Sequence, residues 1–271
     1  MTMLSSEPVL SHRCYFVMVI FFAFSTTLPV CECHRPSLNN FTDLQALLSF
    51  KDHLSSDPCN VLGDWNTNTS FCNWIGVSCS KHRQRVTILQ LFDSSLQGII
   101  TPFLGNLSFL RLLSLANNSF HGHIPTEIGQ LCRLKLLTLN INQMNGEIPQ
   151  SIGNCEKLKV LSLSYNGLVG TIPNELGLLR ELKRLYLGRN YITGTIPPSL
   201  ENLTRLEELA LEENQLCGSI PHEIGFLGSL FDLYLNKNNF TGSIPPSLGN
   251  LSSLEQLVMN ENHLQVSIPQ C

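Results

Sequence analysis

The sequence predicts an α/β solenoid: a right-handed superhelix with a parallel β-sheet on its concave face, closed at the N-terminal end by a helical, disulfide-stapled cap. Three observations carry this. Asparagines recur every 24 residues at Asn118, Asn142, Asn166, Asn190, Asn214, Asn238 and Asn262, and Ser94 opens the series as a polar stand-in. Leucines keep fixed offsets before them, as in Leu113 and Leu115, Leu137 and Leu139, through to Leu257 with Met259. Behind each asparagine comes Ile-Pro, from Ile124-Pro125 to Ile268-Pro269, preceded by a glycine in all but the last repeat. A fixed period of this length means one supersecondary unit stacked on copies of itself.

The frame L-x-x-L-x-L-x-x-N is that of a leucine-rich repeat, and its spacing has physical reasons. L-x-L alternates inside and outside, so each repeat supplies one short strand whose leucines enter the core. The chain must then bend, and an inward asparagine amide, with two donors and an acceptor, can satisfy the backbone groups buried in the bend. The second half of each repeat carries Pro and Gly at fixed positions. These forbid a long helix and favour a short extended piece followed by a tight helical turn on the convex side. No repeat buries its apolar face alone, so stability comes from neighbour stacking.

In chain order, residues 1–30 read as a signal peptide: His12-Arg13 precede an apolar run from Cys14 to Phe24, followed by small and polar residues. The run is too short to span a bilayer, where roughly 20 residues are needed, and no other membrane span is expected. Residues 31–85 read as an N-terminal capping domain. Within 42–85, Asp43 to Lys51 has helical spacing behind Thr42 as N-cap, and Asp57-Pro58 is expected to end the helix. Cys72 and Cys79 are expected to form a local disulfide flanked by Trp65 and Trp74, the two tryptophans. Residues 86–271 are eight repeats, the last incomplete, with Glu201 and Val266 standing where other repeats have Gly. Cys155 takes a slot that other repeats give to Leu and reads as a small buried hydrophobe. No partner is evident for Cys217 or Cys271, and Cys31-Glu32-Cys33 reads as incidental.

The chain is 14% charged with a formal charge of −4, too small and of the wrong sign for a nucleic-acid binder. No catalytic constellation occurs, and neither a cofactor nor a metal is expected. His121-Gly122-His123 is the best metal-like cluster, but it lacks a third ligand nearby and reads as a solvated turn. The chain reads as a non-enzyme.

The run D-L-Q-A-L-L-S-F-K, then W-N, then C-N-W-I-G-V-S-C, then repeated N-x-L-x-G-x-I-P-x-x-L-G-N-L, resembles the ectodomain of plant leucine-rich-repeat receptor kinases. The opening G-I-I-T-P-F-L-G-N-L-S-F-L resembles the first repeat of the subfamily that includes immune receptors for bacterial peptides. The resemblance implies an extracellular ligand-recognition module for a peptide or protein, acting in defence or development, often with a leucine-rich-repeat co-receptor. No G-x-G-x-x-G, H-R-D or D-F-G occurs in these 271 residues, so the resemblance covers an N-terminal portion without kinase chemistry. The same repeats are similar to polygalacturonase-inhibiting proteins, so a secreted inhibitor of a wall-degrading enzyme is the second function class. A non-functional receptor fragment is the third.

Specificity in such a solenoid sits on the outward strand positions. Repeats two to four present small polar groups there: Ser114, Thr138, Ser162 and Ser164. Repeats five to seven turn charged and aromatic, and the expected ligand-binding residues are Arg184, Tyr186, Arg189, Glu208, Tyr234 and Lys237. Tyr186 and Tyr234 hold equivalent slots, about 10 Å apart, with Ala210 between them leaving a shallow gap. The charges have a second reading, since Arg189, Glu213, Lys237 and Glu261 alternate in sign in one slot and can pair with one another. Seven sequons, at Asn40, Asn68, Asn106, Asn117, Asn202, Asn239 and Asn250, fit a glycosylated extracellular protein. Asn106, Asn202 and Asn250 share one convex slot, whereas a glycan on Asn117 would obstruct the early concave face. At the other end, Leu254, Leu257, Met259 and Leu264 are expected to lack a polar cover, so residues 34–271 expressed alone are expected to self-associate. A monomer by sedimentation, with slow amide exchange through Leu257 and Met259, would contradict that expectation.

Overall fold

The computed structural model of the chain describes residues 39–265, all within one compact unit. The leader expected over 1–30, the cap residues before Asn39, and Val266 to Cys271 lie outside the described residues.

Each repeat contributes one strand to a long sheet, beginning with Val86–Gln90 and ending with Gln256–Val258. These eight strands pair in parallel in sequence order, and each step matches residues 24 apart, as in Leu113↔Leu137 and Leu185↔Leu209. A ninth strand from the cap, Val77–Cys79, pairs antiparallel with Val86–Gln90 and covers the edge of the first repeat. The inward leucines, among them Leu113, Leu137, Leu161, Leu185, Leu209 and Leu233, are fully buried. Leu257, in the equivalent place of the eighth repeat, is 39% exposed.

The asparagines do what the spacing requires. Asn166 Oδ1 accepts the Met144 N–H at 2.9 Å, while its Nδ2 donates to the Leu139 carbonyl at 3.0 Å and the Leu163 carbonyl at 3.1 Å. One amide therefore holds the bend of its own repeat and both limbs of the bend before it. The pattern recurs up the stack, and Asn190 and Asn238 are buried. The residue before each of these asparagines, from Asn117 to Glu261, is left-handed with φ between 52° and 57°. Ile141 is one of them, a β-branched residue in a region that costs ordinary side chains about 1–2 kcal/mol.

The extended pieces after the asparagines are not merely extended. Gln97–Ile99, Ser119–His123, Gln143–Glu147 and Gly167–Val169 form a second parallel sheet, and Cys217–Ser219, Asn239–Ser243 and His263–Gln265 form a third. Five-residue 3-10 turns such as Thr126–Gln130 follow on the convex side. Their glycine is a contact requirement: a Cβ on Gly129 would lie 2.3 Å from the Ser151 carbonyl oxygen of the next repeat.

The cap departs from expectation at both ends of its helix, Asn40–Asp52. Its N-cap is Asn39, whose Oδ1 accepts the Phe41 and Thr42 N–H groups at 3.1 and 3.3 Å. Thr42 lies inside the first turn and donates its hydroxyl to the Asn39 carbonyl. The helix stops before Asp57-Pro58, because Leu54–Ser56 is drawn into the second sheet opposite Gln97–Ile99. Cys72 and Cys79 form the expected disulfide, and the Trp65 and Trp74 rings stack at 5.1 Å. A contact with no periodic signal joins cap to repeats: buried Asp43 takes a bidentate pair from Arg85, at 2.9 and 2.7 Å, and accepts the Val86 N–H.

Two outcomes test this account. Asn190→Ala leaves buried carbonyls and the Leu168 N–H without partners, so it is expected to destabilise the fold by about 3 kcal/mol, with exchange accelerated first around Leu168 and Leu187. Ile141→Asn gives the left-handed position a residue that tolerates it and is expected to stabilise by about 1 kcal/mol in urea denaturation.

Candidate functional site

Arg184 and Tyr186 stand on the fifth-repeat strand Arg184–Tyr186, Glu208 on the sixth, Glu208–Ala210, and Tyr234 on the seventh, Asp232–Tyr234. Arg189 and Lys237 occupy left-handed positions beyond the strand ends. The register places Tyr186, Ala210 and Tyr234 side by side, with Ala210 only 6% exposed. Strand alternation puts Glu208, Ala210 and Glu212 on one face. A shallow gap over Ala210 is thus bounded by tyrosines across the strands and by carboxylates along them.

Most of these charges pair among themselves. Arg184 meets Glu208 at 2.8 Å, and Glu213 is shared by Arg189 and Lys237, each at 3.2 Å. Lys183 pairs with Glu207 at 2.5 Å. Glu261 instead accepts from its neighbour Asn260. Arg189 also lies 4.5 Å above the Tyr165 ring. The Tyr186 hydroxyl donates to Glu208 and the Tyr234 hydroxyl to Gln256, the latter at 2.7 Å. Burial, and then the bond to Glu208, push the Tyr186 phenol well above its ordinary range. Tyr234 is raised by burial and by the Asp232 charge. Both hydroxyls therefore remain donors at neutral pH.

Two acceptors in this region, Glu212 Oε2 and Asp232 Oδ1, are shielded from solvent and meet no donor at hydrogen-bond geometry among the described residues, although the Tyr234 phenol lies close enough to Asp232 to interact with its carboxylate. Glu212 lies over Gly188, where a Cβ would come within 2.3 Å of its Oε1. Burial raises the Glu212 carboxyl, and a hydrogen bond from its own backbone N–H and then nearby Arg189 oppose that shift only in part. The expected ligand residues did not include Glu212 or Asp232. The signal for Glu212 was the glycine at 188, one period earlier, which opens the space its carboxylate fills.

Other expected features fall as follows. His121 and His123 lie on the strand Ser119–His123 of the second sheet, not in a turn. Among the described residues no group of three or more His, Cys, Asp or Glu could hold a metal ion, and no helix is long and apolar enough to cross a membrane. Cys155 is fully buried with its thiol on the Ile128 carbonyl. Asn40, Asn68, Asn117, Asn202, Asn239 and Asn250 are exposed, and Asn106 is half-buried. Ser114, Ser162 and Ser164, expected to face outward from repeats two to four, are buried, and the exposed groups there are instead cations flanking the strands, including Arg111 and Lys135.

A stack of parallel strands, asparagine ladder and paired-cysteine cap defines a leucine-rich-repeat protein. Residues 85–217 match the leucine-rich repeat region, 41–80 the leucine rich repeat N-terminal domain, and 229–251 a further leucine rich repeat. The chain is 46% identical over 97 residues to the LRR receptor-like serine/threonine-protein kinase EFR of Arabidopsis thaliana, covering 35% of this chain and 9% of that receptor. The ectodomain of GASSHO1/SCHENGEN3 from Arabidopsis thaliana, solved with CASPARIAN STRIP INTEGRITY FACTOR 2, superposes with a TM-score of 0.81 at 36% identity, covering 84% of this chain and 27% of that one. A chain of the Arabidopsis thaliana BIR3–SERK2 complex gives a TM-score of 0.58 at 37% identity, over 65% of this chain and 95% of that one. The chain belongs to the plant leucine-rich-repeat family and is homologous to receptor-kinase ectodomains. It spans less than a third of the large receptors EFR and GASSHO1/SCHENGEN3. The matches to kinases fall in their repeat portion, which is not catalytic.

Because Glu212 is held above its ordinary pKa, its burial costs stability at neutral pH and that cost disappears as pH falls through the raised value. Glu212→Gln is expected to raise Tm by about 2 °C at pH 7, with the gain vanishing near pH 3.5. Equal Tm differences at both pH values would contradict this.

Proposed function

We propose that this chain is an extracellular, non-catalytic ligand-recognition module, the repeat portion of a receptor that takes an extended peptide across its long sheet at repeats five to seven. Tyr186 and Tyr234 wall the gap over Ala210, which admits one short side chain. The observation that carries this reading is the pair of buried, unpartnered carboxylate oxygens, Glu212 Oε2 and Asp232 Oδ1. Unpaired buried acceptors cost stability, and a ligand that supplies the donor relieves that cost. Peptide N–H groups or a cationic side chain meet that need. Arg184 paired with Glu208, and Arg189 and Lys237 sharing Glu213, frame the patch and set its register.

The extracellular placement is supported by the Cys72–Cys79 disulfide, the seven sequons and the receptor relatives. Solved relatives include HAESA with the peptide hormone IDA and the co-receptor SERK1, which supports a peptide ligand and a leucine-rich-repeat co-receptor for this chain as well. The Asn106, Asn202 and Asn250 sequons share the convex side, which leaves the long sheet clear of sugar there.

The test is selection from a random peptide display library against the full chain secreted from plant cells, followed by affinity measurement. Tyr186→Ala and Tyr234→Ala are each expected to weaken the selected peptides at least tenfold, as truncation of an interface tyrosine does. Selected peptides that bind both variants as tightly as the parent would sink the proposal.

A further inference from the structure

We infer that repeats two to four carry a second docking site, for an acidic peptide segment laid along the N-terminal ends of the long-sheet strands. It is separate from the tyrosine-walled gap and does not depend on it.

Arg111, Lys135 and Lys159 stand 24 residues apart, each immediately before the strand of its repeat, at Leu112–Ser114, Leu136–Thr138 and Val160–Ser162. Their backbones are locked in a ladder: Lys135 N–H donates to the Arg111 carbonyl and Lys159 N–H to the Lys135 carbonyl, both at 2.8 Å. Arg133 and Lys157 form a second row, two residues upstream of Lys135 and Lys159. Together with Glu181 these five cations line a surface channel of about 500 Å³. Arg111, Lys135 and Lys157 are exposed, and Arg133 and Lys159 half-buried.

The contrast with the next repeats is what gives the channel meaning. Lys183, Arg184 and Arg189 each have a glutamate from the following repeat at 2.5–3.2 Å. Among the described residues none of the five channel cations has an ion-pair partner. Like charges are held about 4.8 Å apart per repeat on a rigid sheet, so the repulsion between them is built in and an incoming anion relieves it. The run ends at Glu181, where the upstream row changes sign.

The shape selects a linear partner, and the surface chemistry selects a peptide. Arg111 to Lys159 is two repeat steps, about 10 Å, the length of three or four extended residues. The two offset rows meet carboxylates on alternate sides of such a segment, and Arg111 and Arg133 can take a carboxylate bidentately. A single-stranded nucleic acid would want a free aromatic face to stack on. Phe109, the ring at the head of the channel, is instead covered by Arg83, Arg85 and Arg133 at 5.6, 4.6 and 4.0 Å.

The experiment is fluorescence anisotropy with the full secreted chain and a labelled peptide bearing four consecutive glutamates between Gly-Ser flanks. Binding is expected, at least tenfold weaker for the same peptide with four glutamines, and weakening steeply between 50 and 300 mM salt, a range over which the Debye length falls roughly 2.4-fold. Lys135→Glu with Lys159→Glu changes surface side chains on a fixed backbone and is expected to abolish binding, with circular dichroism and Tm unchanged. Tyr186→Ala is expected to leave it intact. No binding of the glutamate peptide, equal binding of the glutamine peptide, or equal binding by the charge-reversed variant would each overturn the proposal. So would an oligogalacturonate of equal charge that binds more tightly than the peptide, since the partner would then be a polysaccharide.

Discussion

The bend after each strand is the constraint on which the fold depends. A chain that turns inside its own core buries N–H and C=O groups that no strand or helix can pair. In this solenoid one asparagine amide per repeat takes them up, reaching back to the Leu139 carbonyl and the Met144 N–H in the case of Asn166. Because each amide serves two successive bends, the column links every repeat to the one before it. The leucines supply most of the burial, but they are interchangeable in kind: Met144, Cys155 and Phe120 all sit fully buried in equivalent columns. The amide is not interchangeable, since no other side chain offers two donors and an acceptor at that length.

The same constraint explains why the fold could be read from the sequence and why the details at its edges could not. Period, strand register and core columns follow from one repeated rule, and the eight parallel strands match it residue for residue. The cap obeys no period. Its helix starts one turn earlier than Thr42 implied because Asn39 adopts the extended conformation of an N-cap, and it ends early because Leu54–Ser56 finds a strand partner 40 residues on. The bidentate Asp43–Arg85 pair, which couples cap to repeats, joins residues with no shared pattern. Pairing of the extended pieces into further sheets is likewise a property of the stack rather than of any one repeat.

The candidate surface was legible to a different degree. Equivalent slots for Tyr186, Ala210 and Tyr234 follow from the period alone. Whether Arg189, Glu213 and Lys237 face a ligand or one another depends on side-chain reach across a strand gap, and in the structure they meet one another. Glu212 reads in the sequence as one more outward acid of repeat six, and its burial arises from the missing side chain at Gly188, an absence one repeat away. The cations of repeats two to four are less legible, because the outward serines and threonine within those strands suggest a small polar surface while Arg111, Lys135 and Lys159 stand just before the strands.

That last column is informative because the solenoid treats identical positions in two ways. Each outward slot recurs at the strand spacing, so a charge in one repeat always has a neighbour in the next, and two like charges about 5 Å apart in water repel by on the order of 1 kcal/mol. From repeat five onward the sequence relieves this by alternation, as Arg189, Glu213 and Lys237 show, and as Lys183 and Glu207 show in the pre-strand column itself. In repeats two to four the pre-strand column reads Arg111, Lys135, Lys159 with no acidic member. The fold does not require that arrangement, because these side chains contribute nothing to the leucine core or the amide ladder. The long sheet is consequently polar from end to end, with free cations before its early strands and unpartnered carboxylate oxygens near its later ones, and a ligand lying along it would be oriented by that asymmetry.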